Sequence, residues 1–530
     1  MLTRKNLFRN MSESLQERIT KKFFIVKTLF LLLFIFNSCD DSNRNGGKEN
    51  AVSDTTKRMI AQDTTVTPGT TANHSDSFLN TLRKAQKVYV GDFDIMRTRS
   101  IIRILVPYSR TLFFNDKGKE RGFSADYCRD FENFLNKKYH KQLHSIPFTI
   151  AFIPTPRDQL ISHVIQGLGD FAAGNLTETE ERLRQVDFFA PLEVRVSEIV
   201  LNRKQDAPIA NVDQLSGRTI HVRQSSSYFQ SLQALNKTLA AKGKMPVKVN
   251  IMSENLEDED LMEMLDAGII PVIIVDDWKA KMWAQILPNI RLNENVAVRT
   301  GGQIGWAYRK NSPLLTAEFN DFYSHYEKQL GVVSYRFKKY GQQVKELQDP
   351  TKSDNVKHYK EIIQLFEKYG KQYDFDPLML AAQGFQESEL NQNERSAVGA
   401  IGIMQVMPET GRSMKVGNIT VTEPNIHAGT KYMHIIMTNY FHDAHFDNFN
   451  KSLFAFASYN AGPGRIEGLR KIAADRGLNP DVWLNNVEII ASEKIGIETT
   501  TYVRNIVKYY YSYKLMAELS EEQRKQKKAF

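Results

Sequence analysis

The stretch DPLMLAAQGFQESEL, Asp376 to Leu390, decides how the C-terminal part of this chain is read. Asp376 is a good helix N-cap, and Pro377 suits the first helical position. Leu378, Ala381, Ala382 and Phe385 then recur at helical spacing and make one apolar face. Glu387 falls near the C-terminal end of the predicted helix. There the negative end of the helix dipole and the apolar neighbours both disfavour its charge and raise its pKa. A general acid working at neutral pH needs that shift. Glu389 lies about 200° round the helix and points elsewhere. The two glutamates therefore cannot be the carboxylate pair that glycosidases usually set across a scissile bond. Alone, the stretch is weak evidence for chemistry, since a Glu near a helix end is usually a solvated residue.

Working outward, a Pro/Asp/Ser break at QDPTKSD (348–354) precedes it. HYKEIIQLFEKYGKQY, IHAGTKYMHIIMTNYF, SLFAFASYNAG and TYVRNIVKYYYSYKLM keep helical spacing with few β-rich runs. An all-α domain is expected over 346–515, with a charged tail at 516–530. From about 100 to 345 the pattern differs. IIRILVPY, FTIAFIP, RTIHVRQ, VKVNIM and IIPVIIVDD read as strands. FSADYCRDFENFLNKKY, RDQLISHVIQGLG, SSYFQSLQALNKTLAAKG and DLMEMLDAG read as helices between them. The alternation predicts parallel sheets with helices on both faces, and its repetition predicts two lobes.

Of the net charge of +9, residues 1–38 carry +5 through seven Lys/Arg and two acids. The remaining +4 is unremarkable for 530 residues and, with no basic–aromatic motif, argues against nucleic acid as a partner. Lys21 and Lys22 precede FFIVKTLFLLLFIF, whose clean apolar run is too short to span a bilayer. This reads as an export signal at 1–38, with Met1 or Met11 as its start. Ser38-Cys39 resembles a bacterial lipobox, which implies lipidation of Cys39; an uncut signal anchor is the alternative. Residues 39–76 are polar and expected to be a disordered tether. Apart from Cys39 there is only Cys128, so no disulfide or cysteine metal site is expected. No metal and no cofactor are expected anywhere.

RILVPYSRTLFFNDKGKERGFSADYCRDFENFL, GDFAAGNLTETEERLRQVDFFAPL and LSGRTIHVRQSSSYFQSL resemble the family-3 extracellular solute-binding proteins. The resemblance implies an α/β two-lobed, periplasmic-binding-protein-like domain at 77–345, with lobe 2 at about 195–295. It also implies a ligand site. Arg182 of the T-x-x-R segment would take a ligand carboxylate bidentately. Ser226 and Ser227 open a helix whose free N–H groups attract an anion. Asp276, at a strand's C-terminal end, would meet an amino group. A surface ion pair for Arg182 and an N-cap for Asp276 are the bland readings.

QES, GAIGIMQVMPETG (399–411), FASYNAGPGRI (456–466) and ETTTYVRNIVKYY (498–510) come in one order. Together they closely resemble the soluble-lytic-transglycosylase, lysozyme-like catalytic domain. The resemblance implies a substrate, the MurNAc-β-1,4-GlcNAc bond of peptidoglycan, and a 1,6-anhydro product. It makes Glu387 the catalytic carboxylate. Ser388, Gly402, Met404, Gln405, Tyr459 and Asn460 would meet the sugar. Glu498 and Tyr502, one turn apart, would support them. Core packing is the alternative for Met404, and a backbone hydrogen bond for Ser388. A hydrolase using Glu498 or Glu409 as base, and a wall-binding lipoprotein without activity, stay open. The fold expected is multidomain, the two-lobed α/β domain followed by the all-α lysozyme-like one. The chain would be lipid-anchored at the outer membrane, facing the periplasm, with glycan strands as partner and an amino acid or muropeptide as effector.

Overall fold

A computed structural model describes residues 88–116, 118–142, 147–189, 195–327 and 356–528, all within one compact unit. The signal segment, Cys39, the tether and the QDPTKSD break lie outside the described residues. Among the described residues no helix is long and apolar enough to cross a membrane.

Lobe 1 runs through α1 (Phe93–Arg99), β1 (Ile101–Val106), the hairpin β2 (Phe114–Asp116) and β3 (Lys119–Arg121), and α2 (Phe123–Tyr139). It continues through β4 (Thr149–Pro154), α3 (Leu160–Ile165), β5 (Phe171–Thr177), α4 (Glu180–Gln185) and β6 (Val186–Phe189). Lobe 2 holds β7 (Val196–Arg203), β8 (Thr219–Arg223), α5 (Ser227–Ala241), β9 (Lys248–Met252), α6 (Asp258–Asp266), β10 (Val272–Asp276), α7 (Asp277–Trp283) and β11 (Ile290–Gly302). The chain returns to lobe 1 through β12 (Ile304–Arg309) and α8 (Pro313–Phe322). Each lobe has a five-stranded sheet, ordered β4-β1-β5-β12-β6 and β11-β7-β10-β8-β9.

β1 is apolar except for Arg103, which pairs with Asp170, and it is buried on both faces, as a central strand requires. It pairs in parallel with β4 and β5. The sheets are nevertheless mixed, not parallel as the alternation predicts. β12 runs antiparallel to β5 and β6, and β7 antiparallel to β10 and β11. The physical reason is the two crossings. A strand that arrives from the other lobe enters its sheet from the hinge side, so it opposes the strands joined by helical crossovers. The return crossing falls at Gly302–Ile304, later than the 295 expected for the end of lobe 2. In lobe 1, Phe171 stacks on Trp306 at 5.0 Å and meets Phe319 edge-on at 5.2 Å, all three fully buried.

The helical domain follows as α9 (Val356–Tyr373), α10 (Pro377–Ser388), α11 (Pro408–Met414), α12 (Thr422–Tyr440), α13 (Asn448–Ala461), α14 (Pro463–Asp475), α15 (Glu488–Lys494) and α16 (Ile497–Lys528). α10 starts as its sequence dictates: Asp376 accepts from the Leu378 N–H at 2.8 Å, and Pro377 opens the first turn.

Helix α16 joins the two domains, beside α15, which packs on β2. From α16, Lys508 reaches Glu263 of α6 at 2.6 Å, both side chains 1% exposed. Thr500 meets the Tyr108 hydroxyl at 3.0 Å, and the Arg504 guanidinium lies 4.1 Å from the Tyr108 ring centre. Arg110 of lobe 1 also pairs with Glu263, at 2.9 Å. Glu263 is therefore shared by both lobes and the helical domain.

Removing one partner of a buried ion pair costs about 3–5 kcal/mol, whereas replacing both by apolar groups is often near neutral. Glu263→Gln is expected to lower the unfolding free energy measured in urea by about 3 kcal/mol, with a lower midpoint. The double variant Lys508→Met/Glu263→Leu is expected to recover part of the loss. An unchanged midpoint for Glu263→Gln would mean that this pair does not hold the domains together.

Candidate active site

α10 ends at Ser388 because Glu389 and Leu390 take left-handed backbone, with φ of 53° and 63°. The reversal leaves Glu389 exposed and drives Leu390 into the core. Glu387 stays on the last helical turn, partly buried. Its Oε1 accepts a 2.5 Å hydrogen bond from the Tyr502 hydroxyl of α16. Burial pushes the Glu387 carboxyl up to about 7; the Tyr502 bond works against this, since it favours the charged form. No neighbouring carboxylate contributes to the shift. Gln383, fully buried one turn earlier on α10, donates to the same tyrosine oxygen at 3.4 Å.

The GAIGIMQVM loop forms the wall beside this helix. Tyr459 of α13 donates to the Met404 carbonyl at 2.7 Å, and its own ionisation is pushed up by burial and by Glu387. Tyr432 of α12 sits edge-on to Tyr459. Thr499 donates to the Asn460 side-chain oxygen at 2.8 Å. Tyr459, Tyr502 and Glu387 thus form one group, framed by α10, α13 and α16.

Several expected sugar contacts also have a structural use. The Ser388 hydroxyl donates to the Gly384 and Ile403 carbonyls, tying α10 to the loop. The Met404 side chain is fully buried against Gly429 of α12, so it packs the core. Gly402 has φ of 76°, and a Cβ there would meet Gln392 Nε2 at 2.4 Å and Asn425 Nδ2 at 2.6 Å. Its smallness makes room for a polar network. Gln405, also with positive φ, donates to the Gly402 carbonyl at 2.9 Å. Glu498 is exposed, as is Glu409; the neighbour of Glu498, Thr499, makes the contact to the site.

The sequence reading missed the residue that holds the loop. Asn425 is fully buried; it accepts from the Met404 N–H at 2.8 Å and donates to the Ile401 and Ile419 carbonyls. A lone amide on the face that also carries Ile426, Gly429 and Met433 was the available signal. Among the described residues no His/Cys/Asp/Glu cluster could hold a metal ion.

The second expected site lies between the lobes, where about 20 Å³ remains among Asn175, Arg182, Ser225, Ser227 and Asp276, room for a single water. Arg182 donates to the Thr177 and Ser225 carbonyls at 2.7 and 2.8 Å, not to an acid on its own helix. Ser226 is the N-cap of α5, accepting from the Phe229 N–H. Asp276 is buried, caps nothing with its side chain, and is pushed up to about 7 by burial.

Two family models match the chain. Bacterial extracellular solute-binding proteins, family 3, match residues 102–342, and the transglycosylase SLT domain matches 364–480. A membrane-bound lytic murein transglycosylase F from Desulfosudis oleivorans is 28% identical over 437 residues, 78% of this chain and 90% of that protein. Its namesake from Pseudomonas fluorescens is 26% identical, covering 77% and 84%. The chain carries both domains and is similar to lytic murein transglycosylase F proteins along more than three quarters of its length. Solved solute-binding structures cover the first domain alone. An ancestral arginine-binding protein bound to arginine is 22% identical, with TM-score 0.37, over 46% of this chain and 98% of that one. The amino acid ABC transporter substrate-binding protein of Streptococcus pneumoniae bound to L-arginine is 14% identical, with TM-score 0.38, over 47% and 98%. Within the SLT domain match lie Glu387, Tyr459 and the GAIGIMQVM loop, while Tyr502 reaches in from beyond it.

The Glu387 shift has a stability consequence. Between its ordinary value of 4.5 and about 7, the folded state keeps a proton that the unfolded chain has released. Stability therefore falls as pH rises through that window. Glu387→Gln cannot titrate. It is expected to melt like wild type below the window and to be more stable above it, by on the order of 1 kcal/mol after allowance for partial exposure. Melting curves on both sides of the window check this; a variant that is less stable at the higher pH contradicts it.

Proposed function

We propose that the chain is a lytic transglycosylase that cleaves the MurNAc-β-1,4-GlcNAc bond of peptidoglycan and leaves a 1,6-anhydroMurNAc end. The observation that carries this is a single partly buried carboxyl near neutral pKa, held by Tyr502, with no carboxylate acting on it. Protonated Glu387 gives its proton to the glycosidic oxygen as the C1–O bond breaks. The carboxylate then takes the proton of the muramyl C6 hydroxyl as that oxygen bonds to C1. Glu387 ends as it began, and no water is consumed. The nucleophile belongs to the substrate, held beside the reacting carbon, which favours ring closure. Tyr459 and Asn460 face the sugar in this reading, and Tyr502 is the donor that keeps the Glu387 carboxylate from rising further. A hydrolytic muramidase would need a base to activate water. Glu409 and Glu498, the candidates for it, are exposed.

The solute-binding domain is the ligand-sensing, regulatory part, with limits at 77–345, and the catalytic domain spans 346–515. Both family matches fall inside these limits. The relatives are named membrane-bound, and the chain is read as a membrane-associated periplasmic enzyme. The finer assignment, an export signal at 1–38 with lipidation of Cys39 and anchoring at the outer membrane, is part of the proposal.

Digestion of purified cell wall separates the readings. Wild type is expected to release anhydro-muropeptides, one water lighter than hydrolysed products by mass. Glu387→Gln is expected to lose about 10²–10⁴-fold in rate, the usual share of a general acid. Glu389→Gln is expected to keep wild-type rate. Turnover should fall as pH rises past about 7, because the first step needs protonated Glu387. Tyr502→Phe removes a donor to the carboxylate, so its basic limb moves to higher pH. Products at the hydrolysed mass would establish the muramidase reading, and equal inactivity of wild type and Glu387→Gln would leave only wall binding.

A further inference from the structure

The cleft of the solute-binding domain is all but closed, and one short stretch of the same chain, SENLEDED, Ser253 to Asp260, bridges its two lobes. It leaves β9 and becomes the first turn of α6. Glu254 accepts from the Ser225 N–H at 2.9 Å and from its hydroxyl at 2.6 Å, where α5 begins. Asp258 accepts from Arg223 at 2.5 Å, from the Tyr228 hydroxyl at 3.2 Å, and from Lys279. These partners all belong to lobe 2. Glu257 takes Arg157 of lobe 1 through two donors, at 3.0 and 2.8 Å. Glu259 accepts from Ser109 at 2.8 Å, and Asp260 pairs with Arg110 at 3.3 Å, both again in lobe 1.

Arg157, Arg223, Lys279, Glu257 and Asp258 are all buried. A cationic cleft of this kind, left empty, would hold uncompensated buried charge. Here every one of these cations meets a carboxylate of the segment. The Glu257–Asp260 capping box also fixes the segment's backbone, since the Glu257 N–H donates to Asp260 at 2.8 Å.

We propose that Ser253–Asp260 is a built-in ligand of the solute-binding domain. Its carboxylates occupy Arg157 of lobe 1 and Arg223, Lys279 and Ser225 of lobe 2, and clasp the lobes shut. An external effector must then be an acidic compound that displaces Asp258 from Arg223 and Lys279. Free neutral amino acids do not enter. Displacement has a route outward, because Glu263 lies little more than a turn along the same helix and holds Lys508 of α16. That helix carries Tyr502 on Glu387. The link to activity rests on the function proposed above; the bridging of the lobes does not.

The test uses the full chain and acetate as the probe. Asp258→Ala is expected to melt several degrees below wild type. Sodium acetate should raise its melting temperature, while chloride at the same ionic strength should not. Wild type should respond to neither acetate nor neutral L-amino acids. A rise in the wild-type melting temperature with a neutral amino acid overturns the proposal, and so does an Asp258→Ala variant indifferent to acetate. If that variant does not fold, hydrogen exchange on wild type decides. Amides of 258–266 as protected as those of the lobe 2 sheet support the clasp, and exchange at loop rates overturns it. Release of anhydro-muropeptides by wild type is read separately, so loss of the clasp and loss of the catalytic reading are distinguishable.

Discussion

The contact between the Tyr502 hydroxyl and Glu387 exists only because α16 lies where it does. The helix is fixed at three depths. Thr500 and Arg504 rest on Tyr108, Lys508 enters the protein at Glu263, and Leu515 belongs to the apolar core that also contains the lobe 1 aromatics. Phe385 of α10 packs edge-on to Tyr509 of the same helix, 4.6 Å between ring centres. The helix that supplies the donor is thus held by the solute-binding domain on one side and by the glutamate's own helix on the other. A rotation of α16 would have to break a buried ion pair or open an aromatic contact. Either is costly enough to keep the hydroxyl in register with the carboxylate.

That register sets the chemistry. A carboxyl on the last turn of a helix, among apolar neighbours, wants its proton. One good donor holds the shift near neutrality, where the group can give a proton and take one back. Two donors, or a cation, would favour a permanent carboxylate. A second carboxylate nearby would favour a nucleophile or a base with water. The surroundings of Glu387 offer one tyrosine donor and exclude the other cases among the described residues. Such a site suits a substrate that brings its own hydroxyl.

What was legible in the sequence follows the range of the forces involved. The start of α10 at Asp376-Pro377 and the separation of Glu387 from Glu389 are local, set by capping and by 3.6-residue geometry, so they could be read directly. The buried strands β1 and β10 announce themselves by apolar runs, broken only by Arg103 in the first and ended by Asp276 in the second. The mixed sheets could not be read, because the direction of β7 and β12 depends on which lobe the chain has just left. Met404 and Gly402 sit in a motif read as cleft lining, yet their surroundings are decided by Gly429 and Asn425 of a helix about twenty residues on. No spacing rule connects those positions. Arg182 lines the cleft, and both of its terminal nitrogens donate to carbonyls, a use no spacing rule predicts.

The acidic turn before α6 shows why charge patterns read from sequence mislead inside a cleft. Glu254, Glu257, Asp258, Glu259 and Asp260 look like a solvated helix start, where acids suit the dipole. In the fold they are largely buried, and each has a partner from a different element. Desolvating Asp258 alone would push its carboxyl up, but Arg223, Lys279 and Arg157 pull it well below the usual range. Glu259 has mainly acidic neighbours, and burial takes it up to about 7. Neighbouring acids on one turn thus move in opposite directions, because one faces the cationic cleft and the other faces Ser109.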